Sequence, residues 1–157
     1  MIKSVVGLFG TCGASCWRED VAIPILQSAN VEFFNPVVAD WNEECMKNEA
    51  MHAASDRVVM LVITGETTAI ASMAEIGFMI IQAYFRGQNV MIVLEDMPDE
   101  TEPKKDEKGF AFRPNKTRKL IRQHLEHLPE EVKPSFRLCG SVKEAAEEAA
   151  AILVGTN

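Results

Sequence analysis

Short apolar stretches rich in β-branched residues alternate along the chain with stretches in which apolar residues recur at helical spacing. The apolar stretches predict five strands, at 3–9, 31–34, 57–64, 89–94 and 136–138. The periodic stretches predict helices at about 17–30, 42–54, 70–86, 116–128 and 141–154. Pro24 is expected to bend the first helix or to make its first turn irregular, Gly87 to end the third, and Ser141 to cap the last.

This alternation predicts an α/β fold with one doubly wound, parallel, five-stranded sheet in the flavodoxin-like order 2-1-3-4-5. A length of 157 residues fits a single domain over 1–157. The third strand is apolar almost throughout, so both of its faces should be covered. Ligands of such sheets bind outside the carboxyl ends of strands one and three, which places a candidate site beside the loops at 10–15 and 65–69.

The segment 95–114 is charged, contains prolines and has no apolar periodicity. It is expected to be a mobile surface loop, and it is the one segment long enough to act as a lid. The sequence does not indicate whether it closes over a site.

Composition narrows the choice of partner. The formal net charge of −7 disfavours nucleic-acid polymers and anionic membranes, and so favours a small molecule. No uncharged apolar stretch reaches the roughly 18 residues of a membrane span, and the apolar run at the start is too short for a signal peptide. A soluble, cytoplasmic protein is expected.

The cysteines and histidines indicate no metal or cofactor. The four cysteines lack C-x-x-C spacing, so reduced thiols are expected rather than a zinc site or disulfides. His124 and His127 lie in a basic helical segment, where histidines are usually solvated.

Glu75, near the start of the third helix, is the strongest candidate for chemistry, and it has two interpretations. The segment Ser72-Met-Ala-Glu75 matches the capping box, in which the glutamate only bonds the helix end. The alternative is a carboxylate facing a ligand at the carboxyl edge of the sheet, with space left by Ala69, Ala71 and Ala74. Spacing alone favours the capping box.

Four motifs resemble the nucleoside 2-deoxyribosyltransferase family over roughly residues 3–95. They are GTCGASCWR at 10–18, FNPVVADW at 34–41, ITGETT at 63–68 and SMAEIGFM at 72–79. The most specific part, AEIGFM, is similar to the helix that bears that family's catalytic glutamate. The resemblance therefore favours a catalytic Glu75 over the capping box.

The resemblance implies a double displacement at C1′ of a deoxynucleoside. Glu75, ionised at neutral pH with an ordinary pKa of about 4.3, would attack the anomeric carbon and form a covalent glycosyl-enzyme. A second base or water would then take the sugar. The leaving base needs a proton or a hydrogen bond from a second acidic group, for which Asp40 and Glu49 are the candidates.

Each candidate acid also has a structural interpretation. Asp40 can instead cap the helix at 42, and Glu49 can belong to a solvated helix face. The family tends to carry an aspartate about six residues before its glutamate, where this chain has Ala69. The nearby hydroxyls of Thr67 and Thr68 can bind sugar oxygens but cannot replace a carboxylate.

The first loop is predicted to hold a phosphate or sugar hydroxyls on main-chain N–H groups, although its glycines can equally serve a tight turn. Its predicted binding residues are Gly10, Thr11, Gly13 and Ser15. Trp17 and Trp41 are candidates for stacking on a nucleobase. Arg18 is a candidate for a 5′-phosphate or a base carbonyl, and Asn35 of the FNP motif is a further binding candidate.

These observations lead to an enzyme that cleaves or transfers at the N-glycosidic bond of a (deoxy)nucleoside or nucleotide through Glu75. Two alternatives stay open: a non-catalytic sensor of a nucleotide-derived ligand, and a 2′-deoxynucleoside 5′-phosphate N-hydrolase that depends on Arg18. The resemblance also implies a homo-oligomer in which a neighbour completes the pocket.

Overall fold

The apolar stretches form one parallel sheet in the computed structural model, which describes residues 2–98, 104–105, 109 and 111–155. Its strands are β1 (Lys3–Gly10), β2 (Phe33–Phe34), β3 (Asp56–Ile63), β4 (Asn89–Leu94) and β7 (Phe136–Cys139). Strands β5 (Lys104–Lys105) and β6 (Ala111–Phe112) form a separate pair. The strands of the parallel sheet lie in the order β2-β1-β3-β4-β7, and every neighbouring pair is parallel. Counted within this sheet the order is 2-1-3-4-5, which confirms the predicted fold.

Helices connect the strands. They are α1 (Ile23–Ser28), α2 (Glu43–Ser55), α3 (Ile70–Arg86), α4 (Pro114–Glu126) and α5 (Val142–Val154). A π-helical turn (Arg18–Ala22) precedes α1, whose first turn contains Pro24, and this confirms the predicted irregularity. The Ser141 hydroxyl accepts a hydrogen bond from the N–H of Glu144 and Gly87 ends α3 with φ 68°, both as predicted.

Two apolar layers cover the sheet. Strand β3 contributes Val58, Met60 and Val62 to the layer under α1 and α5, and its alternate residues Val59, Leu61 and Ile63 to the layer under α3 and α4. Both faces of β3 are therefore covered, as its composition predicted. Helix α2 also lies on the second face, but it contributes no fully buried residue.

The first residues of β2 and α4 differ from the predicted ones, each for a physical reason. Strand β2 begins at Phe33 rather than at residue 31 because the N–H of Val31 bonds the carbonyl of Leu26 and so closes α1. Helix α4 begins at Pro114, two residues early, because proline fits the first turn of a helix.

The prediction of an aperiodic segment at 95–114 is wrong in part. Strands β5 (Lys104–Lys105) and β6 (Ala111–Phe112) form a short antiparallel pair. The side chain of Asn115 bonds both the N–H and the carbonyl of Met97, at 2.8 and 2.9 Å. The predicted lid centres on 99–103, 106–108 and 110, which lie outside the described residues. Within the described ranges, no helix is both long and apolar enough to cross a membrane.

Candidate active site

A cavity of about 240 Å³ lies between α2 and α3, against Phe9 at the end of β1. Two carboxylates line it, Glu49 from α2 and Glu75 from α3. Its remaining lining residues are apolar: Phe9, Met46, Ala50, Ala53, Phe78 and Met79. The fold thus brings two of the three predicted catalytic residues into one cavity.

The capping-box interpretation of Glu75 is wrong. Helix α3 begins at Ile70, and its N-cap residue is Ala69, which adopts a left-handed conformation with φ 47° and has no side chain able to cap the helix. Ser72 is the third residue of the helix, so its hydroxyl is not in position to form the box. Glu75 is therefore a cavity-lining side chain rather than a helix cap.

The surroundings of Glu75 change its acidity. Part of the side chain reaches solvent, but burial against the cavity raises the pKa of Glu75, and the nearby Glu49 carboxylate raises it further. Two carboxyl groups in one site resist simultaneous ionisation. Such a pair suits chemistry in which one group acts as a nucleophile or base while the other supplies a proton.

The side chains of Trp17 and Arg18 stabilise the loop after β1. Arg18 is buried, and its Nε and Nη1 donate to the carbonyls of Leu8 at 3.0 Å and Thr11 at 2.7 Å. The indole N–H of Trp17 donates to the same Thr11 carbonyl at 2.9 Å, and the guanidinium lies 4.2 Å from the indole centroid. The predicted contacts to a nucleobase or a phosphate have no support in this arrangement.

The hydroxyl groups of Thr11 and Ser15, two of those predicted to bind substrate, join the two edge loops. The Thr11 hydroxyl accepts from the N–H of Thr64 at 3.1 Å, and the Thr64 hydroxyl lies 3.0 Å from that of Ser15. The Thr64 hydroxyl also donates to Glu66 at 2.6 Å, and hydrogen bonds from Ser15 and Thr64 lower the pKa of Glu66. Glu66 was not predicted, and its contacts hold the loops after β1 and β3 together.

Gly10 serves the tight turn. Its φ of 118° is unfavourable for other residues, and an added Cβ would lie 2.0 Å from the carbonyl oxygen of Val62. Gly13 also has a positive φ, of 83°, but an added Cβ there would meet nothing within 4 Å. The backbone therefore requires glycine at Gly10 whether or not a ligand binds.

A family model described as nucleoside 2-deoxyribosyltransferase like matches residues 3–97, more than half of the chain. The chain belongs to the nucleoside 2-deoxyribosyltransferase-like family. The matched region contains β1 to β4, α2, α3 and both cavity carboxylates, and it confirms the resemblance carried by the four motifs. No curated protein matches the chain.

The other predicted site residues lie away from the cavity lining. Asp40 is exposed, and Asn42 rather than Asp40 caps α2 by accepting from the N–H groups of Glu44 and Cys45, so the capping alternative for Asp40 is wrong. Trp41 is 58% exposed. Among the candidate acids, the structure therefore places Glu49, and not Asp40, beside Glu75.

Three further predicted binding residues occupy loop positions. The side-chain oxygen of Asn35 accepts from the N–H of Val37 at 3.1 Å. Thr67 and Thr68 are half-buried in the loop before α3, and the Thr67 carbonyl accepts from Arg118 at 2.7 Å. Their contacts with a substrate stay a prediction.

The apolar wall of the cavity was not predicted. Phe78 lies three residues after Glu75, and Met46 lies three residues before Glu49, so each shares a helix face with its carboxylate. This spacing is visible in the sequence. What the sequence lacks is a sign that the two faces meet.

The four cysteines were predicted to be reduced thiols. All four cysteines are free, and burial raises the pKa of the Cys139 thiol to about 11. Within the described part of the chain, no group of three or more His, Cys, Asp or Glu side chains is arranged to hold a metal ion.

Proposed function

We propose that the protein cleaves or exchanges the N-glycosidic bond of a (deoxy)nucleoside with Glu75 as the nucleophile. Membership of the family supports glycosyl transfer or nucleoside N-glycosidase chemistry in general. The observation that carries the assignment of Glu75 is the cavity in which it faces Glu49 among apolar side chains.

The proposed reaction has two displacements. The Glu75 carboxylate attacks C1′ and forms an ester bond while the C1′–N bond breaks and its electron pair goes to the base. Protonated Glu49 donates a proton or a hydrogen bond to the departing base. An acceptor base or water then attacks C1′, Glu75 leaves as a carboxylate, and Glu49 takes up the proton released by the nucleophile.

We propose an uncharged nucleoside rather than a 5′-phosphate as the substrate. The cavity lining contains two carboxylates and no lysine, arginine or histidine among the described residues, which disfavours an anionic phosphate. Arg18, the predicted phosphate ligand, is buried and donates to main-chain carbonyls. The 5′-phosphate N-hydrolase is therefore the weaker alternative.

We also propose that a second copy of the chain completes the cavity. Two of its lining residues, Met46 and Phe78, are exposed large apolar side chains. Further exposed apolar side chains lie on the same two helices: Met51, Ile70, Ile81, Tyr84 and Phe85. An apolar surface at the mouth of a site fits a protein–protein contact that also excludes water.

The test is a panel of deoxynucleosides and their 5′-monophosphates, incubated with and without an acceptor base and analysed by chromatography of the free base. We expect base release or exchange from nucleosides, slower reaction of monophosphates, and a loss of about 10³-fold or more in Glu75→Gln. Glu43→Gln on the exposed face of α2, where Glu43 pairs with Lys47, is the matched control. A Glu75→Gln protein as fast as wild type would exclude the proposal.

A covalent intermediate separates the enzyme from a sensor. A 2′-fluorinated nucleoside that slows the second displacement should leave its sugar on the peptide containing Glu75, detected by mass spectrometry. A non-catalytic sensor would bind nucleosides, give no adduct and keep its affinity in Glu75→Gln.

A further inference from the structure

A histidine–aspartate pair with a buried carboxylate lies next to the cavity. Asp56, the first residue of β3, is 0% exposed, and both of its carboxylate oxygens approach Nδ1 of His52, at 2.9 and 3.1 Å. The imidazole of His52 stacks on Phe34, with ring centroids 3.7 Å apart and planes 2° apart. The orientation of His52 is therefore fixed from two sides.

Strand β1 leaves space for this pair. A Cβ at Gly7 would lie 2.8 Å from Oδ2 of Asp56 and 2.3 Å from the ring of Phe9. Phe9 is a wall of the cavity, and its ring centroid lies 6.2 Å from that of Phe34. The glycine within the strand thus admits both the buried carboxylate and the cavity wall.

Helix α2 depends on few contacts for its position. It has no buried residue, and Ala53 is its partly buried contact with the apolar layer. The side chain of Gln88 donates to the carbonyls of Ala53 at 3.1 Å and Asp56 at 2.7 Å. The bond from His52 to Asp56 links an α2 side chain to a charged group of the sheet.

We propose that His52 and Asp56 are positioning residues that fix α2 on the sheet and thereby hold Glu49 beside Glu75. The inference rests on the proposed function of Glu75. Glu49 lies three residues before His52, about one helical turn away, so a shift of α2 at His52 displaces Glu49 directly.

The charges around Asp56 are consistent with this role. Burial raises the pKa of Asp56, while the hydrogen bond and charge of His52 and the charge of Lys3 act in the opposite direction. Glu32 adds to the increase. Because a buried carboxylate needs a partner, the link to His52 is costly to break.

The test is the titration of the Glu75 carboxyl, followed by NMR in protein labelled with ¹³C at the glutamate carboxyl carbon. His52→Phe keeps a ring on Phe34 but removes the bond to Asp56. The double variant His52→Phe/Asp56→Leu also removes the buried carboxylate, so that no unpaired charge destabilises the fold. In both variants the titration midpoint of Glu75 should fall, because Glu49 moves away.

Two further measurements accompany the titration. Amide hydrogens of α2 should exchange faster in both variants, and kcat should fall by up to about 100-fold, as expected for a displacement of roughly 1 Å. Asp56→Asn keeps an oxygen that can accept a hydrogen bond from His52. This variant should therefore keep the wild-type midpoint of Glu75, amide exchange rates and kcat. Leu26→Ala, in the opposite apolar layer, is the control for a general loss of stability.

The possible outcomes separate this inference from the proposed function. Titration and exchange need no turnover, so a protein inactive on every nucleoside would refute the function and leave the positioning role measurable. A wild-type Glu75 midpoint in the double variant would overturn the positioning role. Failure of all three His52 and Asp56 variants to fold, with Leu26→Ala folded, would also overturn it in favour of a role in the whole fold.

Discussion

Glu75 and Glu49 have different roles in the proposed reaction, nucleophile and proton donor, although both are glutamates in one cavity. Glu75 has to be ionised to attack C1′, and Glu49 has to carry a proton for the leaving base. Burial and then the Glu49 carboxylate raise the pKa of Glu75, so its ionisation depends on its partner. The pH dependence of the reaction therefore reports on the pair.

Replacing Glu49 should lower both the titration midpoint of the Glu75 carboxyl and the rate. In Glu49→Gln the carboxylate that raises the pKa of Glu75 is lost, so the ionised form of Glu75 becomes more favourable. The rate should drop by about 10²–10⁴-fold because the proton donor is missing. The measurements are NMR of the glutamate carboxyl carbons across the acidic range and kcat/KM for one nucleoside at neutral pH.

Asp40→Asn is the matched variant for this measurement, because Asp40 was the other candidate acid and does not line the cavity. It should keep the wild-type midpoint of Glu75 and most of the rate. An unchanged midpoint and rate in Glu49→Gln, or a changed midpoint and rate in Asp40→Asn, would reverse the assignment of the two acids.

At the scale of single residues, the sequence predicted which carboxylate matters better than it predicted what the loop residues do. The segment AEIGFM marked Glu75, but the capping-box pattern misled because the start of α3 depends on Ala69. The loop before α3 is held by contacts distant in sequence, including the bonds from Arg118 to the carbonyls of Thr64 and Thr67. No local pattern contains this information.

The role of Arg18 was mispredicted because it, too, depends on contacts that appear only in the folded loop. An arginine beside a glycine-rich turn can bind a phosphate or the turn itself, and both require the same residue type. The structure selects the second, because the carbonyls of Leu8 and Thr11 point at the guanidinium. Only the folded loop distinguishes the two.

At the scale of elements, two glycines differ in the space that the structure leaves for a side chain. Gly7 lies inside β1, where an added Cβ would overlap Phe9 and Asp56. Gly77 lies inside α3, where an added Cβ would meet nothing within 4 Å. Packing thus favours glycine at position 7 of the strand and does not require it at position 77 of the helix.

Alanine at these two positions should change stability in opposite directions. Gly7→Ala should lower the free energy of unfolding by about 1–3 kcal/mol because the strand is overpacked. Gly77→Ala should raise it by roughly 0.5–1 kcal/mol because alanine restricts the unfolded chain and favours the helix. Denaturant unfolding followed by circular dichroism measures both.

Each of these two variants serves as the control for the other, since the chemical change is identical. A stable Gly7→Ala protein would show that Phe9 and Asp56 move aside without cost. A destabilised Gly77→Ala protein would show that α3 needs a close neighbour at this point.

Long elements were predictable and very short ones were not. Strand β4 was predicted with its observed bounds because five consecutive apolar residues after Asn89 give a clear signal. Strands β5 and β6 have two residues each, which is too few to show a period of two. Their pairing brings Lys104 opposite Phe112 and Lys105 opposite Ala111.

At the scale of the whole molecule, the distribution of apolar surface is uneven. The large exposed apolar side chains of α3 fall on one stripe, at 70, 78, 81, 84 and 85, and Phe78 lines the cavity together with the exposed Met46 of α2. Phe78 is 65% exposed and Phe85 is 78% exposed. A net charge of −7 makes contacts between copies unfavourable unless such an apolar area is buried.

The proposed assembly predicts that the wild-type chain is at least a dimer at assay concentrations. A lysine at Ile81 or Phe85 places a charge in the proposed interface without altering the cavity lining, so either variant should dissociate the assembly. An interface residue of this kind contributes about 2 kcal/mol or more, so the dissociation constant should rise by about 30-fold. Sedimentation equilibrium at several loading concentrations measures it.

Leu120→Lys is the matched control, because Leu120 is 50% exposed and lies on α4, outside the two helices of the proposed interface. It should leave the assembly intact. If a second copy completes the cavity, the loss of activity in Ile81→Lys and Phe85→Lys should follow the monomer fraction and recover at high protein concentration. A wild-type monomer with full activity would show that a single chain forms the complete site.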